Sequence, residues 1–264
     1  MFPTTPLGRI VLGVAALSLA SCTQAEGASK PPAVTRPAVL AALERQGVSV
    51  AAEFDASSEV RAYAGSINQQ PMAIYVMGDG SAVVGTRLGP DGKPVDEEKI
   101  QKLVLKPMSE AVWSKLAAST WVQDGSPDAP RIVYAFGDAN CPYCHKFWEA
   151  ARPWVKSGRV QIRHVMVGII KEDSAAKAAA ILGAKEPEAA LNINEMHADK
   201  GGIRPLASIP PKVNEQLQKN ALLMVELGFS GTPGILYKDA SDVVQRTNGM
   251  PPPQALEAIL GPRP

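Results

Sequence analysis

Cysteine and histidine are the scarce residues of this chain. Three of each occur among 264 residues, and where they sit excludes more than their number does. A structural zinc site needs four ligands, commonly as two closely spaced pairs. Here Cys141 and Cys144 form one pair, no second pair exists, and His145, His164 and His197 are scattered, so no metal site is expected. An excess of charge of one sign is also missing, with 27 Lys and Arg against 26 Asp and Glu. Such a balance gives no basic field for nucleic acid or an anionic membrane surface, and no nucleic-acid partner is expected. Internal repeats are absent too. The apolar run from Ile10 to Ala20 is too short to cross a bilayer and has the length of a secretory signal core.

That run, preceded by Arg9, makes residues 1–25 an export address. It ends in Leu19-Ala20-Ser21-Cys22, which resembles a bacterial lipobox, where Cys22 would be lipidated and become the mature N-terminus. Ordinary cleavage after Ala25 is the alternative and removes Cys22. Under either reading Cys22 leaves the folded domain and the protein works outside the cytoplasm. A single lipidated cysteine would tether the chain to a leaflet without making it integral to the membrane.

What is present is enough for a sizeable core: 45% of the residues are apolar, and the length allows one large or two modest domains. Residues 26–36 read as a flexible lead-in. A short amphipathic helix is predicted over 37–46, with Val39, Leu40 and Leu43 on one face and Gly47 as its stop. Strands are predicted over 48–54, 60–66, 72–77 and 82–88, with Gly78-Asp79-Gly80-Ser81 as a hairpin turn. Asp96 reads as the cap of a helix running towards Leu105, and a second helix starts near Met108, with Pro107 interrupting the two. Roughly 25 helical residues would extend about 35 Å, enough for a stalk. Trp113 and Trp121 read as core residues.

From about Gly125 a second pattern begins. The run Arg131 to Phe136 lacks strict alternation and reads as a strand buried on both faces. A helix follows the cysteines, with Phe147, Ala151, Trp154 and Val155 at helical spacing and Pro153 expected to bend it. Further on come a strand over 160–170, helices over 174–185 and 213–227 with a less regular stretch between, a strand-like run after Thr232-Pro233-Gly234, a hairpin, and a closing helix over 252–260. Strand, helix, strand, helices, Thr-Pro, hairpin, helix is the order of a thioredoxin fold with a helical insertion. The fold class is therefore α+β.

Cys141-Pro142-Tyr143-Cys144 sits at the junction between strand and helix, where two thiols two residues apart suit the passing of a disulfide. The thiolate is the attacking species. Cys141 at a helix N-terminus would face free N–H groups and the positive end of the helix dipole, so Cys141 is the expected attacking sulfur and Cys144 the more buried resolving one. Pro142 suits the first helical turn, where its missing N–H costs nothing. Thr232-Pro233 is the second element: beside a CxxC helix, a cis proline and its preceding residue present backbone to an extended client. Tyr143 would tune access. A plain structural disulfide remains open, although a two-residue loop constrains little. Cys141 to His145 also matches the c-type haem pattern C-x-x-C-H, which stays open as an alternative.

Taken together, Arg131 to Phe136, the CPYC motif, Phe147-Trp148, Ala151-Arg-Pro-Trp-Val155, Val167-Gly168 and Ala178 to Leu182 make the chain resemble the DsbC/DsbG family of periplasmic thiol:disulfide interchange proteins. Pro-Tyr between the cysteines, where the other branch usually has Gly-Tyr, and the lack of a second pair favour the DsbG branch. The resemblance extends back over Leu43 to Gly47 and Trp121 to Gly125. It implies an N-terminal dimerisation domain over 37–95, a linker helix over 96–125 and a thioredoxin-like catalytic domain over 126–264 with an insertion about 172–228. It also implies a V-shaped homodimer acting as a disulfide isomerase or reductase on exported client proteins with cysteines, sulfenic acids included. The implied redox centre is the Cys141–Cys144 disulfide with no other cofactor, kept reduced by a DsbD-type membrane reductase. Departures are Asn140 and His145, where an aromatic and a lysine are expected. Thioredoxin carries a buried acid six positions before its first cysteine, and Ala135 stands there instead. A dimeric chaperone that holds unfolded clients without its thiols is the alternative of another class, and a disulfide-donating oxidase is the alternative direction of exchange.

Overall fold

Alternating small and apolar residues at the start of the folded region build a four-stranded antiparallel meander. The computed structural model describes residues 35–56, 60–68 and 70–264; the export address and Cys22 lie outside them. Helix α1 (Ala38–Arg45) precedes strands β1 (Ser49–Phe54), β2 (Arg61–Ile67), β3 (Gln70–Val76) and β4 (Ala82–Gly85), in sheet order β1-β2-β3-β4. Leu40 of α1 is fully buried against Val48, Tyr63, Ile74 and Val76. Gly47 ends the helix with a left-handed φ of 92°, which costs glycine little. The last strand is shorter than its sequence predicts: it stops at Gly85, and Leu88 makes only an isolated bridge to Pro94.

Two expectations are corrected in the next segment. Asp96 does not cap the helix with its side chain. Its carboxylate is buried and accepts from Tyr75 Oη at 3.0 Å and from Arg87 Nε at 2.8 Å, fastening the helix start to the sheet. Nor does Pro107 interrupt the helix. α2 (Glu97–Ile100), a π-helical stretch Gln101–Leu105 and α3 (Lys106–Ala118) follow one another without a break. Proline lacks the N–H for the i−4 carbonyl and its ring crowds that oxygen; the widened turns just before it accommodate the loss.

The second sheet has order β5-β7-β6-β8-β9, from β5 (Val122–Asp124), β6 (Arg131–Asp138), β7 (Val160–Val167), β8 (Gly234–Lys238) and β9 (Val244–Asn248). β6 is central, parallel to β7 and antiparallel to β8. Val133, Tyr134, Ala135 and Phe136 are all buried. Val133 and Ala135 face a core with Phe147, Trp154, Ile235 and Ile259, whereas Tyr134 and Phe136 face one with Leu116, Met224 and Phe229. Burial on both faces is why the strand carries no polar alternation.

α4 (Pro142–Lys156) leads from β6 to β7 and packs Phe147, Ala151, Trp154 and Val155 into the first of these cores. Between β7 and β8 lie α5 (Ser174–Leu182), α6 (Pro187–Met196) and α7 (Pro211–Glu226). The stretch expected to be irregular thus contains a full helix, α6, whose buried Leu191 joins Ile181 and Leu217 in a third core. Its small residues and two asparagines hide the apolar spacing. Leu256–Leu260 (α8), entered through a 3₁₀ turn at Pro253–Ala255, closes the chain.

Candidate active site at the start of helix α4

β6 ends at Asp138, and Ala139 and Asn140 bring the chain to Cys141, the N-cap residue of α4, with Pro142 at its first position. The Cys141 N–H donates to the Asp138 carbonyl at 2.9 Å. Its sulfur accepts from the Cys144 N–H at 3.1 Å and, when protonated, donates to the Thr232 carbonyl at 3.4 Å. The Thr232-Pro233 bond is cis, and Gly234 directly after it opens β8 beside β6. Both predicted elements therefore meet at the C-terminal end of the central strand. Pro142 and Tyr143 lie at the surface, Tyr143 being 55% exposed with Lys146 Nζ 5.4 Å from its ring.

The two thiols are free and unlike. Cys141 is drawn down from 9.0 to about 6, chiefly by the hydrogen bond from the Cys144 side chain. Burial opposes this, while Thr232 and the N–H groups of Cys144 and Tyr143 add to it. Cys144 moves the other way: burial pushes its thiol up, and the adjacent Cys141 sulfur adds to the rise. The expectation that Cys144 is the more buried residue needs correction, because Cys141 is only 5% exposed and Cys144 is half-buried. The sulfur atom's own surroundings govern its ionisation, and these desolvate Cys144 more strongly. The Thr232 hydroxyl has no partner of full hydrogen-bond geometry, yet it lies close enough to both sulfurs to favour their thiolates.

His145 is half-buried. Its Nδ1 lies 3.0 Å from Glu195 and its Nε2 3.4 Å from Glu149, and its ring stacks on Trp148. Through Glu195 it ties α4 to α6. Ala135 faces the apolar core, so the acid that thioredoxin has at this position is absent. The nearest carboxylate in sequence, Asp138, is 2% exposed and fully engaged, accepting from the N–H groups of Asn140, Ile169 and Ile170 and from Ser174 Oγ at 2.7–3.0 Å. That node is invisible in the sequence, since its partners come from three segments. Among the described residues, no cluster of three or more His, Cys, Asp or Glu has a metal-holding arrangement.

Comparison with known proteins agrees with this geometry. A thioredoxin-like domain family model matches residues 124–262. The thiol:disulfide interchange protein DsbG of Pseudomonas aeruginosa is 42% identical over 259 residues, covering 98% of this chain and 99% of that protein. The chain belongs to the DsbG family of thiol:disulfide interchange proteins. DsbG of Escherichia coli is 36% identical over 226 residues, covering 85% of the chain and 91% of the relative. Among solved structures, the catalytic domain of Proteus mirabilis ScsC superposes with a TM-score of 0.50 at 21% identity, covering 59% of this chain and 96% of that one, which speaks for the fold alone. DsbG-family proteins work through a redox-active cysteine pair and no separate cofactor, and the family is one of enzymes of disulfide exchange.

Proposed function

We propose that this DsbG-family chain is a periplasmic disulfide isomerase and reductase acting on exported proteins, with Cys141 as the attacking thiolate and Cys144 as the resolving thiol. The observation that carries the reading is the opposed pair itself: Cys141 drawn to about 6 at a helix N-cap, Cys144 pushed up beside it. At neutral pH such a pair holds one nucleophile and one proton in reserve.

In the exchange, the Cys141 thiolate attacks one sulfur of a client disulfide. A Cys141–client bond forms, the client S–S bond breaks, and the second client sulfur leaves as thiolate. If that thiolate attacks another client sulfur and Cys141 is later displaced by a client thiolate, the disulfide has moved without net redox change. If Cys144 loses its proton and attacks Cys141 instead, the client leaves reduced and Cys141–Cys144 becomes a disulfide, which a DsbD-type membrane reductase must return to dithiol with two electrons. A client sulfenic acid enters at the first step, with its oxygen leaving as hydroxide, taken up as water. Thr232 and Pro233 would align the client backbone, with Pro142 and Tyr143 beside it.

Residues 37–95 would serve as the dimerisation domain, 96–125 as the linker helix and 126–264 as the catalytic domain. Support for a homodimer comes from β4, an edge strand whose Val83 and Val84 are 57% and 45% exposed; apolar edge strands call for a partner. No helix of the described residues is long and apolar enough to cross a membrane, and Cys22 is proposed as the lipidation point, if cleavage does not remove it.

Acid quenching of living cells followed by mass-tag alkylation tests the direction of exchange. Two free thiols at Cys141 and Cys144 are expected. A pair found fully oxidised would make the protein a disulfide donor and overturn the reading.

A further inference from the structure

Behind Cys141 the helical insertion presents a buried lysine, paired with a carboxylate at the surface, that the exchange chemistry above does not use. Lys177, on α5, is 6% exposed. Its ammonium donates to Asn140 Oδ1 at 2.7 Å and to the Gly201 carbonyl at 2.9 Å, and it lies 2.9 Å from Asp173. Asn140, immediately before the nucleophile, turns its side-chain amide N–H groups to the start of the same helix. Its Nδ2 donates to Asp173 Oδ1 and Ser174 Oγ, both at 2.9 Å, and its backbone N–H donates to Asp138 Oδ1 at 2.8 Å. Ser174 Oγ donates to that same Asp138 oxygen at 2.8 Å. Asp138 in turn holds the nucleophile's residue through its main chain, its carbonyl accepting from the Cys141 N–H at 2.9 Å, and its backbone favours the Cys144 thiolate.

A lysine this buried is a poor route to stability, since apolar packing of the same volume does as well or better. Its partners are all met, and through Asn140 they join α5 to the segment just before Cys141. We propose that Lys177 and Asn140 are positioning residues for the dithiol: they clamp the segment from Asp138 to Cys141 onto the helical insertion and balance the carboxylates there, so that this wall sets how readily Cys141 exists as a thiolate. The inference rests on the reading that Cys141 and Cys144 are the exchanging pair. Two carboxylates, Asp138 and Asp173, share the cluster with the single ammonium of Lys177. Without that ammonium the cluster beside the nucleophile would be more negative by one charge, and Asn140 Oδ1 would lose its donor. Both changes disfavour a second negative charge at Cys141. A less stable thiolate makes the reduced protein less stable relative to its disulfide, and the pair becomes a stronger reductant.

The test uses the full mature chain with Lys177→Met, Asn140→Leu and the surface control Lys219→Met, whose partner Glu215 lies on the exposed side of α7. Two quantities are read: the midpoint of thiolate absorbance against pH, and the equilibrium with glutathione, in which protein dithiol plus oxidised glutathione gives protein disulfide plus two reduced glutathiones. Lys177→Met is expected to raise the midpoint by about half a unit or more and to shift the glutathione equilibrium towards protein disulfide by about three-fold. Asn140→Leu should move both in the same direction by less, and Lys219→Met should move neither. A cluster that only holds the fold together would lower the melting temperature of the first two variants and leave both redox quantities unchanged, which overturns the proposal. If Lys177→Met does not fold, unchanged values in Asn140→Leu overturn it alone. Failure of the wild type to form a reversible Cys141–Cys144 disulfide would instead strike the function on which the inference rests.

Discussion

The sulfur of Cys141 carries one consequence that a titration can read directly. Its thiol is lowered from 9.0 to about 6 while Cys144 is raised, so alkylation of reduced protein by iodoacetamide should show one fast cysteine with a midpoint near 6. Between about 6 and neutral pH one proton then accompanies two electrons. The reduction potential should fall by about 30 mV per pH unit above the midpoint and about 59 mV below it. A single slope of about 59 mV through pH 8 would contradict the assignment of the thiolate. The same shift links to stability. A depressed acid stabilises the fold fully above its unfolded value, and that contribution is lost as pH falls through the folded one. Reduced protein should therefore gain in melting temperature relative to oxidised protein between about pH 6 and pH 9, and Cys141→Ala should abolish the gain. Replacing Thr232 by Val removes the hydroxyl that favours both thiolates, and the Cys141 midpoint should rise.

At the scale of elements, two junctions hold the catalytic helix and the insertion in place. Gly168 follows β7, where an added Cβ would come within 2.4 Å of the Ala175 Cα at the start of α5. Backbone cannot yield as a side-chain tip can, so Gly168→Ala should destabilise by about 1–3 kcal/mol and loosen the loop whose Ile169 and Ile170 N–H groups bind Asp138. Urea unfolding measures the loss, and an unchanged midpoint would show that the approach is not limiting. Asp124, 2% exposed at the end of β5, ties α4 to the sheet edge through Arg152 and His164. Burial would raise its carboxyl, yet hydrogen bonds from His164 and Arg152 hold it well below the usual carboxylate range. Asp124→Asn leaves Arg152 partly unpaired and should cost about 3 kcal/mol, with the wild-type contribution present above about pH 4 and lost only in strong acid.

For the whole molecule, the apolar edge of the N-terminal sheet is the feature most open to test. Val84→Lys puts a charge on β4 where pairing would bury it. The homodimer proposed above predicts that sedimentation shows a dimeric wild type and a monomeric variant, its Cys141–Cys144 pair unchanged in potential but its isomerase activity lost. A variant that remains dimeric would move the interface elsewhere.

The chemistry of the site is written locally, and so it was legible: CPYC between an apolar run and a helix, Thr-Pro before a strand, and the apolar spacing of α4 all come from neighbouring residues. Periodicity likewise marks most strands of both sheets, though not β5, because burial on one face or two leaves a local imprint. Other features lie beyond that reach. α6 was missed because its small and amide residues mask the helical period. The course of the helix past Pro107 was missed because adjacent turns could widen. Asp96, His145, Asp138 and Lys177 each have a partner tens of residues away: Tyr75, Glu195, Ile169 and Asn140. Hydrogen bonds between distant segments leave no spacing rule in the sequence, so the sequence alone picks out Cys141 as the proposed nucleophile, and only the tertiary structure supplies the setting that tunes it.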